Sequence, residues 1–441
     1  MILGSTTVLV VLIAVGGSAV VEALAAAPLP EQYDAVLPVT VLFGPLTVLI
    51  GLISPFAAEL SDAETTGGAS GRVYAVGTIG SIAGAFGATF VLIPTLPVPL
   101  IGLLLGGLLV LGALSIADRS PEAVASIALA VVVLAGAGVV AVGGVPTGED
   151  VVVDTQTAYA DLRVVDDRGV RTMYIGGVPQ SAIYVDGREG YVFGYAKYAH
   201  LPLLFQNDTE RALFIGGGGF TIPQRYVEEY PGVTVDAVEI DPTVVRVARE
   251  HFGLQEGSRM NVHVGPGRTF LRETNRTYDV IVLDAFRADR VPFQLTTREF
   301  MALAASKLDE DGVLVANIIT ARSGEGSAFG RAMVKTMNEA FPRVYQFPTA
   351  RTSGVQNIEL VATKSGERYT RAELRDLAAE RDLGVDLSGV FGRMRPASEV
   401  RTDDVPVLTD DYAPVDRLLD EQVGKQYVIA GWNGSTANAS G

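Results

Sequence analysis

A run of glycines and a later acid have the types and spacing of a nucleotide site. Gly216, Gly217 and Gly218 follow the apolar run 213–215, and Glu239 ends a second apolar segment roughly 20 residues past the first glycine. Glycines lack a Cβ, so backbone N–H groups can approach a ligand closely at a helix start. A carboxylate at the end of the second strand can accept both hydroxyls of a ribose. The pattern predicts a nucleotide-binding half-fold, and a glycine-rich connection in an ordinary α/β domain is the alternative.

Two further candidate features follow the next strand-like segments. Asp284 ends the segment YDVIVLDAF, so it should project into the crevice at the carboxyl edge of the sheet, where ligands of such folds bind. Its alternative role is to cap the next turn. Gly265 and Gly267 lie in the loop after the third strand, on the same edge, where they would pass along an adenine. We therefore expect these loops and Glu239 to form one site.

The segment LTDDYAPV near the end of the α/β region carries a third group of candidates. Asp410, Asp411 and Tyr412 would line or close the site. The alternative is that Asp410 starts a turn that Pro414 ends. The sequence does not favour either interpretation.

Composition excludes several classes of protein. A hydrophobic content of 48% and a mean hydropathy of +0.31 are too apolar for a wholly soluble protein. The net charge of -16 argues against a nucleic-acid partner, whose phosphates such a surface would repel. The chain has no cysteine, and its histidines are not at ligand spacing, so no metal site is expected. Abundant acids with little lysine are typical of a halophile, although a plain acidic bias is the alternative.

The distribution of charge divides the chain into four regions. Apolar runs at about 5–27, 36–58, 73–93, 97–117 and 123–143 each approach the length that crosses a bilayer. We predict a transmembrane domain over 1–148, with about five helices in a lipid bilayer. Short alternating runs predict an antiparallel β-module over 149–205. An α/β core with a Rossmann-like, doubly wound sheet is expected over 206–420, and a disordered polar tail over 421–441.

The order of these segments resembles a known family. The β-module followed by GGGG, EID, VLDAF, LTTREF and LTDDYAPV resembles the spermidine synthase (polyamine aminopropyltransferase) family, and the third apolar run is similar to its membrane-fused branch. The resemblance covers about residues 150–420. It implies a fold of the S-adenosylmethionine methyltransferase type and, with the acidic composition, a haloarchaeal source. It also implies transfer of an aminopropyl group from decarboxylated S-adenosylmethionine to an amine, with no tightly bound cofactor, and a possible homodimer.

The resemblance also implies roles for individual residues. Gln180 would contact the aminopropyl end of the donor, Glu239 the ribose and Asp284 the reacting amine. Tyr159 matches the tyrosine of a Tyr-Gln pair in the family.

A soluble adenosyl donor favours a cytoplasmic catalytic domain, although Arg72 and Arg119 lie in loops that would place that domain outside by the positive-inside rule.

Several acids of the family pattern are replaced in this chain. The positions are Gly219, Ala196, Pro266 and Arg287. A diamine carries two positive charges, and a buried cation is costly without a paired acid. Asp289, Asp410 or Asp411 would have to substitute. Two alternatives therefore stay open: an S-adenosylmethionine-dependent methyltransferase, and a membrane protein that binds an adenosyl nucleotide without turnover.

Overall fold

The chain folds as two compact units, Met1–Gly148 and Glu149–Gly441. The computed structural model describes residues 2–25, 36–59, 66–116, 120–143, 150–206, 208–287, 290–381, 383–422 and 427–431. The first unit consists of apolar helices, and the second contains a small antiparallel sheet followed by a larger mixed α/β sheet. The predicted fold class, apolar helices before a Rossmann-like domain with a preceding β-module, is confirmed.

The first unit is built from long apolar helices. Four described stretches are long and apolar enough to cross a membrane: Val36–Glu59, Gly67–Leu92, Val98–Ile116 and Pro121–Gly138. The apolar stretch Ile2–Gly17 in the first helix is shorter. Within the described residues the number of such helices is therefore four, where the sequence predicts about five. The helices are α1 (Ile2–Ala25), α2 (Val36–Glu59), α3 (Thr66–Gly87, continued by a π-helical turn at Ala88–Leu92), α4 (Ile93–Thr95), α5 (Val98–Ile116) and α6 (Pro121–Gly143).

Small residues let α1 and α5 approach closely. A Cβ added at Gly102 would lie 2.2 Å from the Cβ of Ala14, and one at Gly106 would lie 2.9 Å from a methyl carbon of Val11. Such contacts between small residues are typical of helices that pack in lipid, where the close approach of backbones supplies the attraction. Glycine at these two positions therefore sets the distance between the two helices.

The second unit begins with a four-stranded antiparallel meander in the order β1-β2-β3-β4. Its tight turns contain Gly169, Gly176 and Gly177, all at positive φ. Glycine tolerates this conformation without the steric cost that a Cβ would bring. The strands are β1 (Asp150–Gln156), β2 (Asp161–Asp167), β3 (Val170–Ile175) and β4 (Val178–Tyr184).

The larger sheet has eight strands in the order β12-β10-β11-β9-β8-β5-β6-β7. Strands β5 to β9 pair in parallel, so their carboxyl ends meet at one edge, with β5 at the point where the order reverses. The strands are β5 (Arg211–Ile215), β6 (Thr234–Glu239), β7 (Met260–Val264), β8 (Tyr278–Leu283), β9 (Leu308–Ala321), β10 (Arg343–Pro348), β11 (Val355–Thr363) and β12 (Arg395–Pro396).

Helices cover this sheet and define two apolar cores. One core joins the sheet to α7, α8, α12 and the buried 3-10 segment Ala196–Leu204, and the other joins it to α9, α10, α11 and α13. Local signals fix several helix starts: Asp241 accepts a hydrogen bond from the Thr243 N–H before α8, and Thr370 forms a capping box with Glu373. The helices are α7 (Thr221–Glu229), α8 (Pro242–His251), α9 (Gly267–Glu273), α10 (Arg298–Lys307), α11 (Ala328–Met337), α12 (Arg371–Glu380) and α13 (Val415–Leu419).

Strand β10 and the direction of β11 are not predicted by the sequence. β11 pairs antiparallel with both β9 and β10, so the sheet is mixed and not purely parallel. Every residue of β11 is buried, and a continuous buried run indicates a central strand without indicating its direction. The antiparallel insertion brings the side chains of β11 beside those of β9.

The prediction of a disordered tail from Glu421 is wrong for the described part of that segment. Tyr427 and Ile429 are buried in a small core with Phe193 and Val355. The N–H of Val428 donates to the Val355 carbonyl at 3.0 Å, and the Gly194 N–H donates to the Ala430 carbonyl at 2.5 Å. The apolar residues of this short run are buried against the sheet. The free energy gained by this burial outweighs the tendency to disorder of the polar residues around them. Residues 432–441 lie outside the described residues.

A fully buried histidine links the 3-10 segment to α7. His200 Nε2 lies 2.8 Å from the Tyr191 hydroxyl, and Nδ1 lies 2.6 Å from the Tyr230 hydroxyl. Tyr230 donates its proton to the Leu383 carbonyl, so Nδ1 must donate to Tyr230 and Nε2 must accept from Tyr191. Burial, together with the charge of Arg225, lowers the pKa of His200 from 6.5 to about 3. The ring is therefore neutral in the folded protein.

Mild acid should destabilise the second unit through His200. Between pH 6.5 and 3 the unfolded chain binds a proton that the folded chain excludes, so stability is present above pH 6.5 and is lost as the pH falls. One such group removes about 1.4 kcal/mol per pH unit. We expect the free energy of unfolding of the second unit, measured by denaturant titration at pH 7.5, 6.0 and 5.0, to fall less steeply for His200→Gln. Equal slopes in the two proteins would contradict the assignment.

Candidate active site

A cavity of about 470 Å³ lies at the carboxyl ends of β5, β6 and β8. Gly216 follows β5, Glu239 ends β6 and Asp284 follows β8, and all three line the cavity. The volume is within the range of small-molecule sites. The predicted site residues that line it are Tyr159, Gln180, Gly216, Gly217, Gly218, Glu239, Gly265, Gly267 and Asp284.

The glycine turn has a conformation and surroundings that exclude side chains. Gly216 has φ of +102°, and a Cβ there would lie 2.1 Å from the carbonyl oxygen of Asp284. Gly218 also has positive φ. Phe220 adopts the left-handed conformation before α7 begins, and its ring is fully buried. The turn therefore packs directly against the backbone of the loop after β8, so the conformation of each loop depends on that of the other.

Glu239 holds the glycine turn from the neighbouring strand. Its Oε2 accepts hydrogen bonds from the N–H groups of Gly217 at 2.8 Å and Gly218 at 3.3 Å. Its Oε1 accepts from the Asp241 N–H at 3.0 Å. Burial raises the pKa of Glu239 despite these bonds. Oε2 therefore accepts two hydrogen bonds and Oε1 accepts one. Each carboxylate oxygen has two lone pairs, so Oε1 can still accept a hydrogen bond from a ligand in the cavity.

Asp284 heads a chain of neutral polar groups that reaches across the sheet. Its Oδ1 accepts from Asn317 Nδ2 at 2.8 Å, and Asn317 Oδ1 accepts from Asn357 Nδ2 at 2.9 Å. Asn357 Oδ1 in turn accepts from the Tyr427 hydroxyl at 2.6 Å. Burial raises the pKa of Asp284, and the bond from Asn317 opposes that shift. These four residues line the same cavity and are called the polar relay below.

Another buried acid lies beside the polar relay. Glu359 is the cross-strand partner of Asn317, and 3% of its surface is exposed. Burial and the nearby charge of Asp284 raise the pKa of Glu359 well above its usual range. Glu359 does not line the cavity. It therefore lies behind the wall of the cavity, where burial disfavours its charged form.

Three of the predicted substrate residues lie away from the cavity. Thr409 and Tyr412 exchange two backbone hydrogen bonds in a turn that also contains Asp411. Asp410 forms a bidentate ion pair with Arg268, at 2.7 and 2.6 Å. None of Asp410, Asp411 and Tyr412 lines the cavity, which corrects the expectation that they close the site. The alternative interpretation as a turn describes this segment, because Asp410 and Asp411 lie between the paired residues Thr409 and Tyr412.

The positions where family acids are replaced have different surroundings. Ala196 and Pro266 line the cavity without a polar side chain, and Arg287 lines it from the loop after β8. A Cβ added at Gly176 would lie 2.6 Å from the Arg287 guanidinium, so this arginine packs on the β3–β4 turn. The Gly219 N–H donates to Ser181 Oγ at 3.0 Å. Asp289, the remaining candidate substitute, lies outside the described residues.

Sequence reasoning missed most of the polar relay. Asn317 interrupts the apolar run VLVANII and Asn357 precedes the run IELVA, and a polar residue inside a buried strand is a usable signal because it requires a partner. Tyr427 carries no such signal, since it follows a polar stretch with no periodic pattern. Among the described residues, no group of three or more His, Cys, Asp or Glu side chains is placed to hold a metal ion.

Comparison with known proteins finds polyamine aminopropyltransferases and also a methyltransferase, the eEF1A lysine and N-terminal methyltransferase of Mus musculus, which is 29% identical over 152 residues. The spermine/spermidine synthase domain matches residues 193–355. A polyamine aminopropyltransferase of Vibrio vulnificus is 27% identical over 282 residues, covering 62% of this chain and 92% of the relative. A probable polyamine aminopropyl transferase of Bifidobacterium longum is 30% identical over 274 residues, covering 59% of this chain and 60% of the relative.

Among solved structures, a probable spermidine synthase from Corynebacterium glutamicum aligns with a TM-score of 0.47 and 21% identity. The alignment covers 58% of this chain and 98% of that one. The domain match spans the glycine turn, Glu239, Asp284 and Asn317, which are the residues around which the cavity is built. The second unit therefore carries a spermine/spermidine synthase domain, matched over residues 193–355.

Proposed function

We propose that the chain transfers an aminopropyl group from decarboxylated S-adenosylmethionine to a small amine. The observation that carries the proposal is that one cavity holds both Glu239, bound to the glycine turn, and the buried carboxyl of Asp284. The first group suits a ribose and the second suits an amine. The match to the spermine/spermidine synthase domain supports the reaction type, and the geometry below supports the role of each residue.

The glycine turn is suited to a nucleoside without phosphates. The N–H groups of Gly217, Gly218 and Gly219 are all hydrogen-bonded to protein side chains, namely those of Glu239 and Ser181. A dinucleotide or nucleoside triphosphate site would need such amides for phosphate oxygens. Oε1 of Glu239 accepts only the Asp241 N–H and still has a lone pair for a ribose hydroxyl. An adenosyl sulfonium donor needs a ribose acceptor and no phosphate cradle, so it fits this turn.

Asp284 is placed to serve the reacting amine. The unprotonated amine attacks the aminopropyl carbon next to sulfur; the new C–N bond forms as the C–S bond breaks, and its electron pair leaves on sulfur as a neutral thioether. The product amine is left with a proton to lose. Burial raises the pKa of Asp284, which makes its carboxylate a stronger base for that proton. Asn317 holds one oxygen, and the other can orient the amine.

We further propose that the first unit anchors the enzyme in a membrane. Four described helical stretches have the length and apolar composition to span a bilayer. Their side chains include many exposed large hydrophobic residues, such as Val76, Ile79 and Leu111, which would be costly in water. Because adenosyl sulfonium donors are intracellular metabolites, we propose that the second unit faces the cytoplasm.

The proposal is tested with the full chain purified in detergent. We expect decarboxylated S-adenosylmethionine and an amine to yield 5′-methylthioadenosine and an aminopropylated amine, detected by mass spectrometry. Methyl transfer from intact S-adenosylmethionine would instead support a methyltransferase. Binding of the decarboxylated donor without turnover of any amine would support a nucleotide-binding protein. Either result would contradict the proposed reaction.

Glu239→Gln should weaken donor binding. A glutamine at this position places an NH₂ group towards the Gly217 N–H and removes the charge that strengthens the hydrogen bonds to the ribose. We therefore expect the binding free energy of the donor to weaken by about 1 to 3 kcal/mol. Calorimetric titration of the donor measures this loss. Glu228→Gln, on the exposed side of α7, makes the same chemical change outside the cavity and serves as the control. Unchanged donor affinity in Glu239→Gln would contradict the ribose role.

A further inference from the structure

We propose that the amine acceptor is a primary monoamine with an apolar body, in preference to a diamine. The inference rests on the proposed function, since it names the class of amine that the same cavity receives. The observation that supports it is the set of charged and apolar groups that line the part of the cavity beyond Asp284. We call this part the acceptor end; it is lined by Asp284, Asn317, Ile319, Asn357, Tyr427, Phe193 and Tyr195.

The order of the strands separates the acceptor end from the donor end. Glu239 belongs to β6, and the glycine turn follows β5. Asp284 follows β8, the next strand along the sheet, and Asn317 and Asn357 lie on β9 and β11 beyond it. Neighbouring strands are about 4.8 Å apart, so the cavity extends along the sheet edge from ribose to amine. An acceptor held at Asp284 must therefore place the rest of its chain against β9 and β11.

Among the described residues, the acceptor end has one carboxylate, that of Asp284. The described acids that line the whole cavity are Glu239, Asp241 and Asp284. Glu239 is bonded to the glycine turn, and Asp241 caps the N-terminus of α8, so both belong to the donor end. Asp284 is thus the single acid available to an acceptor among the described lining residues. A second ammonium group would have to enter a buried region without an opposite charge, which is strongly unfavourable.

The neutral polar groups of this end do not replace the missing charge. In the polar relay, the amide oxygens of Asn317 and Asn357 each already accept a hydrogen bond from another member. The other residues that line this end are Phe193, Ile319 and Tyr195. The hydroxyl of Tyr195 donates to the Gln180 carbonyl at 3.4 Å. Glu359 does not line the cavity and its pKa is raised by burial. An alkyl or aromatic body therefore matches this surface better than a second cation.

The test compares two amines that differ in one group. n-Pentylamine and putrescine have the same number of heavy atoms, and a methyl group in the first replaces an amino group in the second. With the full-length protein and decarboxylated S-adenosylmethionine, we expect kcat/KM for n-pentylamine to exceed that for putrescine by at least about tenfold, the factor that corresponds to 1.4 kcal/mol. Equal use of the two amines, or a preference for putrescine, would overturn the inference.

A substitution should reverse this preference. Asn357→Asp adds a carboxylate at the acceptor end with almost no change in size, and we expect the ratio of kcat/KM for putrescine to that for n-pentylamine to rise by at least about tenfold. Asn338→Asp adds the same charge at an exposed position after α11 and should leave the ratio unchanged. If Asn357→Asp still binds donor and the ratio does not move, the second ammonium does not lie at this end and the inference is overturned.

Failure of the reaction and failure of the acceptor class give different results. If neither amine is converted, binding of each amine is measured by calorimetry with 5′-methylthioadenosine present. Tighter binding of n-pentylamine than of putrescine would then support the acceptor class while the proposed transfer fails. Tighter binding of putrescine, or no binding of either amine, would overturn the acceptor class as well.

Discussion

Asp284→Asn is expected to lower kcat for aminopropyl transfer by about 10²- to 10⁴-fold, the range typical of a lost general base. An amide cannot accept the proton that the product amine must lose, and it offers no charge to orient the amine. The fold should persist, because an asparagine oxygen can still accept the bond from Asn317 that Asp284 accepts now. Burial raises the pKa of Asp284 because it disfavours the charged carboxylate. Asparagine is uncharged, so the substitution also removes the cost of desolvating that charge.

Two measurements separate this effect from a loss of structure. Donor affinity, which depends on Glu239 and the glycine turn, should be within about threefold of the parent protein in Asp284→Asn, well under 1 kcal/mol. Asp376→Asn on the exposed face of α12 makes the same change outside the site and is the matched control. A kcat within tenfold of the parent would show that Asp284 does not serve the amine.

Asp236→Ala is expected to cause the largest loss of stability, about 3 to 5 kcal/mol. Asp236 lies in β6 with 2% of its surface exposed and accepts bonds from Arg276 at 2.7 Å and the Tyr278 hydroxyl at 2.9 Å. Asn261 and His263 on β7 donate to the same carboxylate. Burial alone would raise the pKa of Asp236, but these bonds outweigh it and hold the pKa below its usual value.

Removing the acid leaves the buried Tyr278 hydroxyl and the Arg276 charge without this partner. The free energy of unfolding, from denaturant titration at neutral pH, measures the loss. Arg276→Gln removes the half-exposed partner and keeps the bonds from Tyr278 and Asn261, so we expect a loss of about 1 kcal/mol. Equal losses in the two variants would indicate that the buried hydrogen bonds around Asp236 contribute little.

The glycine turn, Glu239 and Asp284 could be predicted from sequence because their positions follow from local rules. Each lies at the end of a short apolar strand, and parallel strands present their carboxyl ends at one edge. The alternatives for LTDDYAPV could not be decided in this way. Whether Asp410 faces the cavity depends on Arg268, which lies more than a hundred residues earlier in the chain, and no local pattern encodes that ion pair.

The acceptor end was less predictable for the same reason. Asn317 and Asn357 meet because β11 runs antiparallel beside β9, and sequence patterning gives neither the direction nor the neighbour of a fully buried strand. Tyr427 reaches the site through a segment whose composition resembles that of a disordered chain. Long-range pairing, and not residue type, decided these three contacts.

The polar relay has only one arrangement of its protons while Asp284 is ionised. A carboxylate can only accept, so Asn317 must present its NH₂ group to it; Asn357 must then present its NH₂ group to Asn317, and Tyr427 must donate to Asn357. Once Asp284 has taken a proton it can donate instead, and both amides can turn over together. The tyrosine hydroxyl is then free to become an acceptor. The orientation of the two amide groups is thus fixed from Asp284 to Tyr427 only while Asp284 is ionised.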